Sequence, residues 1–225
     1  MKIYPAILSD SIEEIQKQVD LAKSCSSVEI LQIDIIDGFF ADNITVSPQS
    51  LLEVDFGDLQ IDLHLMVDEP MDMISEIENL ENNLPIRTII AQIEKMTYQK
   101  DFVEDVKKMG YKVGLSLDIY TPVDSLDEDI LSEISILQFM GIEAGFQGQK
   151  LIPQVFEKIK LFVEADLVKN DQDLSADTME ITFDGGVIEE HAEKLDLLGV
   201  TSLVVGSLLW KSEDFCEQYQ KLAEI

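Results

Sequence analysis

Ionisable side chains lie near the ends of three apolar, strand-like segments of this sequence. Asp34 lies in the second such segment, His64 in the third and Asp184 at the end of the seventh. Alternate residues of a strand share a face, so Gln32 should lie beside Asp34. On an eight-stranded ring the second and seventh strands are three steps apart, which would place the two aspartates on opposite sides of the mouth. Opposed carboxylates can remove a proton from one face of a carbon and deliver one to the other.

Eight apolar segments alternate with amphipathic, charge-rich stretches along the 225 residues. A doubly wound sheet would carry a glycine-rich turn after its first strand, but here LSDSIEE follows. Eight repeats instead fit a closed barrel, which typically needs ~250 residues. We therefore predict an α/β fold, a (β/α)₈ TIM barrel that occupies residues 1–225 as one domain. The predicted strands cover residues 2–8, 28–36, 60–66, 86–93, 112–118, 134–140, 179–184 and 201–206.

Capping residues and prolines predict helix starts between these strands. Ser9–Ser11, followed by acidic residues, indicates the first helix. Further starts are predicted at Pro70, at Pro122, at Pro153 and over residues 211–214. The polar stretch 168–178 is predicted as an exposed loop or a helix extension before the seventh strand.

The strong acidity of the chain excludes some classes of partner. With 16 Lys and Arg against 45 Asp and Glu, the formal charge is −29. Such a surface repels nucleic-acid backbones and anionic membranes, and it indicates solubility or a saline cytoplasm. Salt screens exposed charge beyond ~10 Å, so a small phosphorylated substrate remains compatible. Arg87 is the single arginine, so an arginine clamp for phosphate is not expected.

The cysteines and the N-terminus indicate a cytoplasmic protein. Cys25 and Cys216 are too few for a disulfide framework in a chain of this length, and they suit a reducing cytosol. The N-terminal residues turn acidic too soon for a signal peptide. No apolar run approaches the ~18–20 residues that a membrane span needs.

Several motifs occur along the chain in a recognisable order: PAILSDS, IDIIDGFFADNITVSP, DLHLMVDEP, KVGLSLDIYTPVDSL, GFQGQ, FDGGV and VVGS. With this set the chain resembles the ribulose-phosphate 3-epimerase family, a branch of the ribulose-phosphate-binding barrels. The resemblance implies a barrel that acts on a pentulose 5-phosphate with a bound divalent metal. It also implies a homo-oligomer, because members of the family often form one.

The resemblance assigns roles to matching residues of this chain. Asp34 and Asp184 match the two acid/base aspartates and also metal ligands, and His64 matches a third ligand. Met66 and Met140 match methionines that line the site. Backbone amides at glycine-rich turns would bind the phosphate without an arginine. The residues that match this phosphate side are Gly145, Phe146, Gln147, Gly148, Gly185, Gly186, Gly206 and Ser207.

The chain departs from the family pattern within the site. Gln32 stands where the family has a histidine, Ala6 where it has a serine, and Gln147 where it has a glycine; Gln92 replaces a further histidine. An amide oxygen is a harder donor than imidazole, so we expect Gln32 to be a weak ligand better matched to Mg, Mn or Ca. The implied metal is one of Zn, Fe, Mn, Co or Mg.

The function predicted is inversion of C3 of D-ribulose 5-phosphate to give D-xylulose 5-phosphate, by two-aspartate proton transfer through an enediolate. One alternative is epimerisation of another ketose phosphate, such as a hexulose 6-phosphate. Another is a non-catalytic paralogue that binds a sugar phosphate or a partner protein. A decarboxylase or aldolase of related barrels is disfavoured, because Asp34 and Asp37 flank two isoleucines and lack the lysine of such sites. Asp37 is predicted to be structural, and His191 to lie on a helix surface.

Overall fold

Eight parallel strands form a closed barrel in chain order, with β8 paired to β1. The structure is a computed structural model, and it describes residues 1–80, 83–165 and 179–225. Every observed strand lies within its predicted segment, so the predicted barrel fold is confirmed. The predicted loop 168–178 lies outside the described residues. The strands β1 to β8 are Lys2–Ile7, Ile30–Ile36, Gln60–Met66, Ile86–Gln92, Lys112–Leu117, Ile136–Met140, Glu180–Asp184 and Ser202–Val205.

Seven α-helices lie in the described ranges of the chain, and four of them begin where the sequence predicts. Ser11 caps α1 by accepting a hydrogen bond from the Glu14 amide, and Asp214 caps α7. Pro70 opens α2, where its missing N–H costs nothing, and Pro153 precedes α4. The helices α1 to α7 are Ile12–Lys23, Pro70–Glu78, Gln99–Lys108, Gln154–Glu164, Glu189–Leu197, Ser207–Trp210 and Phe215–Ala223.

The helix predicted at Pro122 is wrong, because two 3₁₀ turns, Val123–Ser125 and Glu128–Glu133, occupy this connection. The side chain of Gln99 donates to the Ser125 carbonyl at 2.7 Å and accepts from the Asp127 amide at 3.0 Å. A continuous helix would need both backbone groups for its own hydrogen bonds. A tertiary contact from α3 thus interrupts the helix. The connection between β2 and β3 is also a 3₁₀ turn, Pro48–Glu53. The alternation of strands and α-helices is therefore interrupted at these two connections.

The strands carry apolar side chains toward the helices, and several of them carry polar side chains toward the barrel axis. On β2, for example, Leu31, Ile33 and Ile35 belong to the main apolar core, whereas Gln32 and Asp34 are buried on the other face. Neighbouring strands pair so that Asp34 stands beside His64 and Met140 beside Asp184. The register therefore brings polar side chains from several strands to one level of the barrel.

An ion-pair network closes the opposite end of the barrel. Arg87 Nε donates to Asp62 Oδ1 at 2.8 Å, and a second nitrogen contacts Asp62 Oδ2. The guanidinium also lies 4.8 Å from the centre of the Tyr4 ring, and the Tyr4 hydroxyl donates to Glu180 at 2.7 Å. Lys2 pairs with Glu180 at the rim. The one arginine is therefore engaged far from the strand ends that carry Asp34 and Asp184.

A disulfide joins Cys25, just after α1, to Cys216 in α7, with a Cα–Cα distance of 5.4 Å. The sequence analysis did not predict this pairing. The two residues are 191 positions apart in sequence, and only closure of the barrel brings the first and last helices together. Among the described residues, no helix combines the length and the hydropathy needed to cross a membrane.

Candidate active site

Three ionisable side chains from β2, β3 and β7 converge at the carboxyl ends of the strands. His64 Nδ1 lies 3.2 Å from Asp34 Oδ1 and 3.5 Å from Asp184 Oδ2. All three residues are buried, and His64 has no exposed surface. The structure thus brings together the three residues that the sequence singled out. In a (β/α)₈ barrel, this end of the strands is where active sites lie.

Gln32 links the two aspartates through its amide nitrogen. Nε2 of Gln32 donates to Asp34 Oδ1 at 2.8 Å and to Asp184 Oδ2 at 2.8 Å. The amide carries two hydrogens, so one group satisfies both carboxylates. The same nitrogen lies 3.4 Å from His64 Nδ1. Gln32 therefore stands in the middle of the cluster rather than at its edge.

Two further glutamines complete the polar layer. Gln92 Nε2 lies 3.1 Å from His64 Nε2, and Gln138 Nε2 donates to Asp184 Oδ2 at 3.0 Å. Sequence analysis missed Gln138, although its alternation with Met140 on β6 places both on the inner face. Gln138 is fully buried. Its contact with Asp184 makes it part of the site.

Burial and neighbouring charges shift the pKa values of two members of the cluster. Burial raises the pKa of Asp184 to about 7, and the negative charge of Asp34 adds to this effect. Burial alone would lower the pKa of His64, but its hydrogen bond to Asp34 and the charges of both aspartates raise it above its ordinary value. A carboxyl group with a pKa near neutrality can both accept and release a proton under ordinary conditions.

The donor set of the cluster fits a divalent metal ion. Asp34, His64 and Asp184 each offer one ligand atom, and these atoms lie within 4.8 Å of one another. The Gln92 Oε1 atom is buried and has no hydrogen-bond partner. A half-turn of that amide would let Oε1 accept from His64 Nε2–H, and the lone pair of Nδ1 would then face the space between the carboxylates, where a metal ion would be held. Metal-bound histidines usually have such a partner on the second nitrogen.

A cavity above the cluster gathers the other residues that the sequence predicts. Its volume is about 40 Å³. Ala6, at the end of β1, lines it together with both aspartates. His64 and Gln32 lie beneath, in the polar layer. The remaining predicted residues that line the cavity are Met66, Met140, Gly145, Phe146, Gln147, Gly148, Gly185, Gly186, Gly206 and Ser207.

The glycines on one side of this cavity are required by close packing. Gly186 has a φ of +69°, and a Cβ there would lie 2.7 Å from the backbone nitrogen of Leu151. His191 Nδ1 lies 3.0 Å from the Gly186 carbonyl, so its N–H donates to that oxygen. His191 is thus half-buried behind the glycine turn. The sequence analysis placed it on the helix surface, which is only partly right. His191 supports the turn from the first part of α5.

The loops after β2 and β6 meet over the mouth. Asn43 Nδ2 donates to the Gly145 carbonyl at 2.6 Å. Asp37 holds the first of these loops, because its carboxylate accepts hydrogen bonds from the amides of Phe39, Phe40 and Asp68. These contacts lower the pKa of Asp37 despite the opposing effect of burial. The predicted structural role of Asp37 is confirmed.

Comparisons with known proteins agree with this architecture. Among solved structures, a mutant tryptophan synthase α-subunit from Pyrococcus furiosus superposes with a TM-score of 0.69 at 14% identity, covering 99% of this chain and 97% of that one. Phosphoribosyl anthranilate isomerase from Thermus thermophilus superposes with a TM-score of 0.64 at 13% identity, covering 100% and 99%. At such low identity these likenesses show the barrel fold alone.

Sequence comparison identifies more similar relatives. Ribulose-phosphate 3-epimerase of Bacillus subtilis is 29% identical over 216 residues, which cover 95% of this chain and 94% of that protein. The chloroplastic ribulose-5-phosphate-3-epimerase of Arabidopsis thaliana is 28% identical and covers 96% and 73%. The family described as the ribulose-phosphate 3 epimerase family matches residues 2–210. The match spans both aspartates, His64 and the glycine turns, and the chain therefore belongs to the ribulose-phosphate 3-epimerase family.

Proposed function

We propose that this protein inverts C3 of D-ribulose 5-phosphate to give D-xylulose 5-phosphate. The observation that carries the proposal is the meeting of Asp34 and Asp184, from strands three steps apart on the ring, at one buried cluster. Epimerisation requires one group that removes the C3 proton and another that reprotonates the opposite face. Two carboxylates that enter from different strands meet this requirement.

The raised pKa of Asp184 suits the role of proton donor. Asp184, whose pKa is raised to about 7, holds a proton that it can deliver to one face of C3. Asp34 takes the C3 proton from the other face. In the reverse reaction the roles exchange. Gln32 donates a hydrogen bond to each carboxylate, so it holds both oxygens in place and weakens their mutual repulsion.

A divalent metal would be held by Asp34, His64 and Asp184, with Gln32 as a weaker ligand. The amide of Gln32 would have to turn, because its nitrogen now faces both carboxylates and nitrogen with two hydrogens offers no lone pair. When bound, the metal supplies Lewis-acid stabilisation of the developing enediolate charge. Oxygen-rich sites suit Mg or Mn better than Zn, Fe or Co.

The phosphate of the substrate would lie at the glycine-rich side of the cavity. Gly185, Gly186, Gly206 and Ser207 line that side, and their backbone amides are suited to a phosphate. Because Arg87 is engaged with Asp62 at the other end of the barrel, the amides would carry this recognition. The methionines Met66 and Met140 would cover the apolar face of the sugar.

A coupled turnover assay on D-ribulose 5-phosphate tests the proposal. The protein, with its purified metal content measured, is assayed in chelator and then with Mn, Fe, Co, Zn and Mg in turn. Turnover that needs a metal supports the full mechanism, and turnover in chelator supports the two aspartates without a metal. No turnover with any metal contradicts the proposal. Binding of the sugar phosphate in that case would favour a non-catalytic paralogue.

A second candidate is epimerisation of another ketose phosphate, such as a hexulose 6-phosphate. Ala6 lines the cavity at the end of β1, and its methyl group cannot make the hydrogen bonds of a hydroxyl side chain. The turnover assay repeated with that substrate distinguishes the two.

The proposal also includes a single domain over residues 1–225, a homo-oligomer and the absence of nucleic-acid partners. A cytoplasmic location is also proposed, although the disulfide does not favour it, because that compartment keeps most thiols reduced.

A further inference from the structure

The Gln147 side chain lies across the glycine-rich side of the cavity. A Cβ on Gly206 would be 2.7 Å from both Cδ and Nε2 of Gln147. The amide therefore packs directly on the Gly206 backbone. Nε2 also donates to the Ala6 carbonyl at 3.1 Å. Gln147 thus spans from the loop after β6 to the ends of β1 and β8.

The cavity that remains is too small for a sugar phosphate. Its volume of about 40 Å³ holds about three waters, since each needs at least ~10–15 Å³ of such space. Pockets for small-molecule ligands usually measure ~300–1,000 Å³. Ligand entry therefore requires a lining side chain to leave, and Gln147 packs on Gly206, which lines the same cavity as Gly185 and Gly186.

Gln147 can leave at little cost. The carbonyl of Ala6 also accepts a hydrogen bond from Trp210 Nε1 at 2.6 Å, so it keeps a partner when Gln147 departs. A buried acceptor that lost its last partner would make the movement expensive. Gln147 is only half-buried, and its amide can exchange the Ala6 contact for water.

We propose that the Gln147 side chain is a plug that occupies the phosphate end of the site and must be displaced when a phosphorylated ligand binds. This inference rests on the phosphate part of the proposed function and not on the proton transfers. It makes Gln147 a specificity-determining residue, because a ligand must gain enough binding free energy at the phosphate end to displace the Gln147 side chain. A ligand without a phosphate would leave the plug in place.

The test is calorimetric titration of the full chain with inorganic phosphate. Gln147→Ala should bind phosphate about 3- to 10-fold more tightly than the unchanged protein, the ratio that corresponds to one net hydrogen bond. Gln147→Glu keeps the size but adds a negative charge, and it should weaken phosphate binding. Gln149→Ala is the matched control, because Gln149 belongs to the same loop and donates to the carbonyls of Glu143 and Phe146. It should not tighten binding.

The outcomes separate this proposal from the catalytic one. Weaker or equal phosphate binding by Gln147→Ala overturns it and makes the amide a phosphate donor or a bystander. Equal tightening by Gln149→Ala also overturns it, because loop loosening would then explain the effect. Failure of all the proteins to bind phosphate overturns it as well. Tighter binding by Gln147→Ala alone, in a protein that does not turn over D-ribulose 5-phosphate, supports the plug while contradicting the epimerase.

Discussion

Gln32 donates a 2.8 Å hydrogen bond to Asp184 across the interior of the barrel, from β2 to β7. The same nitrogen donates to Asp34, so the amide occupies the position between the carboxylates that a shared cation would also favour. An amide and a cation both stabilise paired negative charges there. We therefore expect the Gln32 amide to compete with a metal ion for this position.

Gln32→His should tighten the binding of zinc or iron. Imidazole offers a nitrogen lone pair without the amide hydrogens that now face the carboxylates, and it suits these metals. Metal content after dialysis and calorimetric titration measure the effect, for which we expect at least a tenfold gain. Gln49→His, at an exposed position, controls for adventitious binding by an added imidazole. Unchanged affinity of Gln32→His would remove Gln32 from the metal site.

Asp34→Asn and Asp184→Asn should each abolish turnover while leaving the fold intact. Each change keeps the shape of the side chain but removes the group that carries a proton. We expect losses of at least 10²-fold in kcat, with circular dichroism spectra like those of the unchanged protein. Asp58→Asn, at an exposed position before β3, is the matched control. Activity that survives either site change would refute the two-aspartate mechanism.

The barrel and the cluster were both accessible to sequence analysis, for the same physical reason. Side chains alternate along a strand, and parallel strands of a barrel end at one rim. Strand order therefore places Asp34, His64 and Asp184 together once the strands are identified. Gln138 is found by the same rule, but an uncharged residue in an apolar strand gives a weak signal.

Side-chain directions and distant contacts could not be obtained in this way. The orientation of the Gln32 side-chain amide and the position of the Gln147 side chain depend on neighbours from several strands and loops. The interrupted helix after Pro122 depends on Gln99, which lies more than 20 residues earlier. The Cys25–Cys216 pairing depends on closure of the whole ring. Each of these features is tertiary, and no local pattern encodes it.

Asp37→Asn should lower the free energy of unfolding by about 1–2 kcal/mol, because one of the two oxygens that accept backbone hydrogens is lost. The carboxylate holds the Asp68 amide at 2.7 Å through Oδ2 and the Phe39 and Phe40 amides through Oδ1. Urea unfolding measures the change. In the unchanged protein the folded pKa of Asp37 lies below its ordinary value of 3.8. Its stabilisation is therefore present above that pH and lost as the pH falls through the lower folded pKa. The free energy of unfolding of Asp37→Asn should therefore fall less on acidification than that of the unchanged protein. An equal fall in both proteins would contradict the assignment.

Arg87→Leu should destabilise the protein by about 3–5 kcal/mol, because it leaves the buried carboxylate of Asp62 without its partner. The double variant Asp62→Leu/Arg87→Leu removes both charges and should recover much of that loss. Chemical unfolding of the three proteins measures the effect. A double variant no more stable than Arg87→Leu would show that packing on Tyr4, rather than the ion pair, explains the loss.

Reduction of the Cys25–Cys216 disulfide should lower stability by about 2–5 kcal/mol, since the bond restricts a very long loop of the unfolded chain. Thermal melts with and without a reductant measure the shift. Cys25→Ala/Cys216→Ala should melt near the reduced protein and show no response to the reductant. Identical melts of the oxidised and reduced proteins would contradict this expectation.

The disulfide also closes a covalent loop that contains seven of the eight strands. Residues 25 and 216 are joined, so β2 to β8 and the chain between them lie within one closed loop. A protease that cuts anywhere inside this loop produces two chains that stay linked. Under non-reducing conditions the nicked protein would keep its full mass, and the fragments would separate only when the bond is reduced.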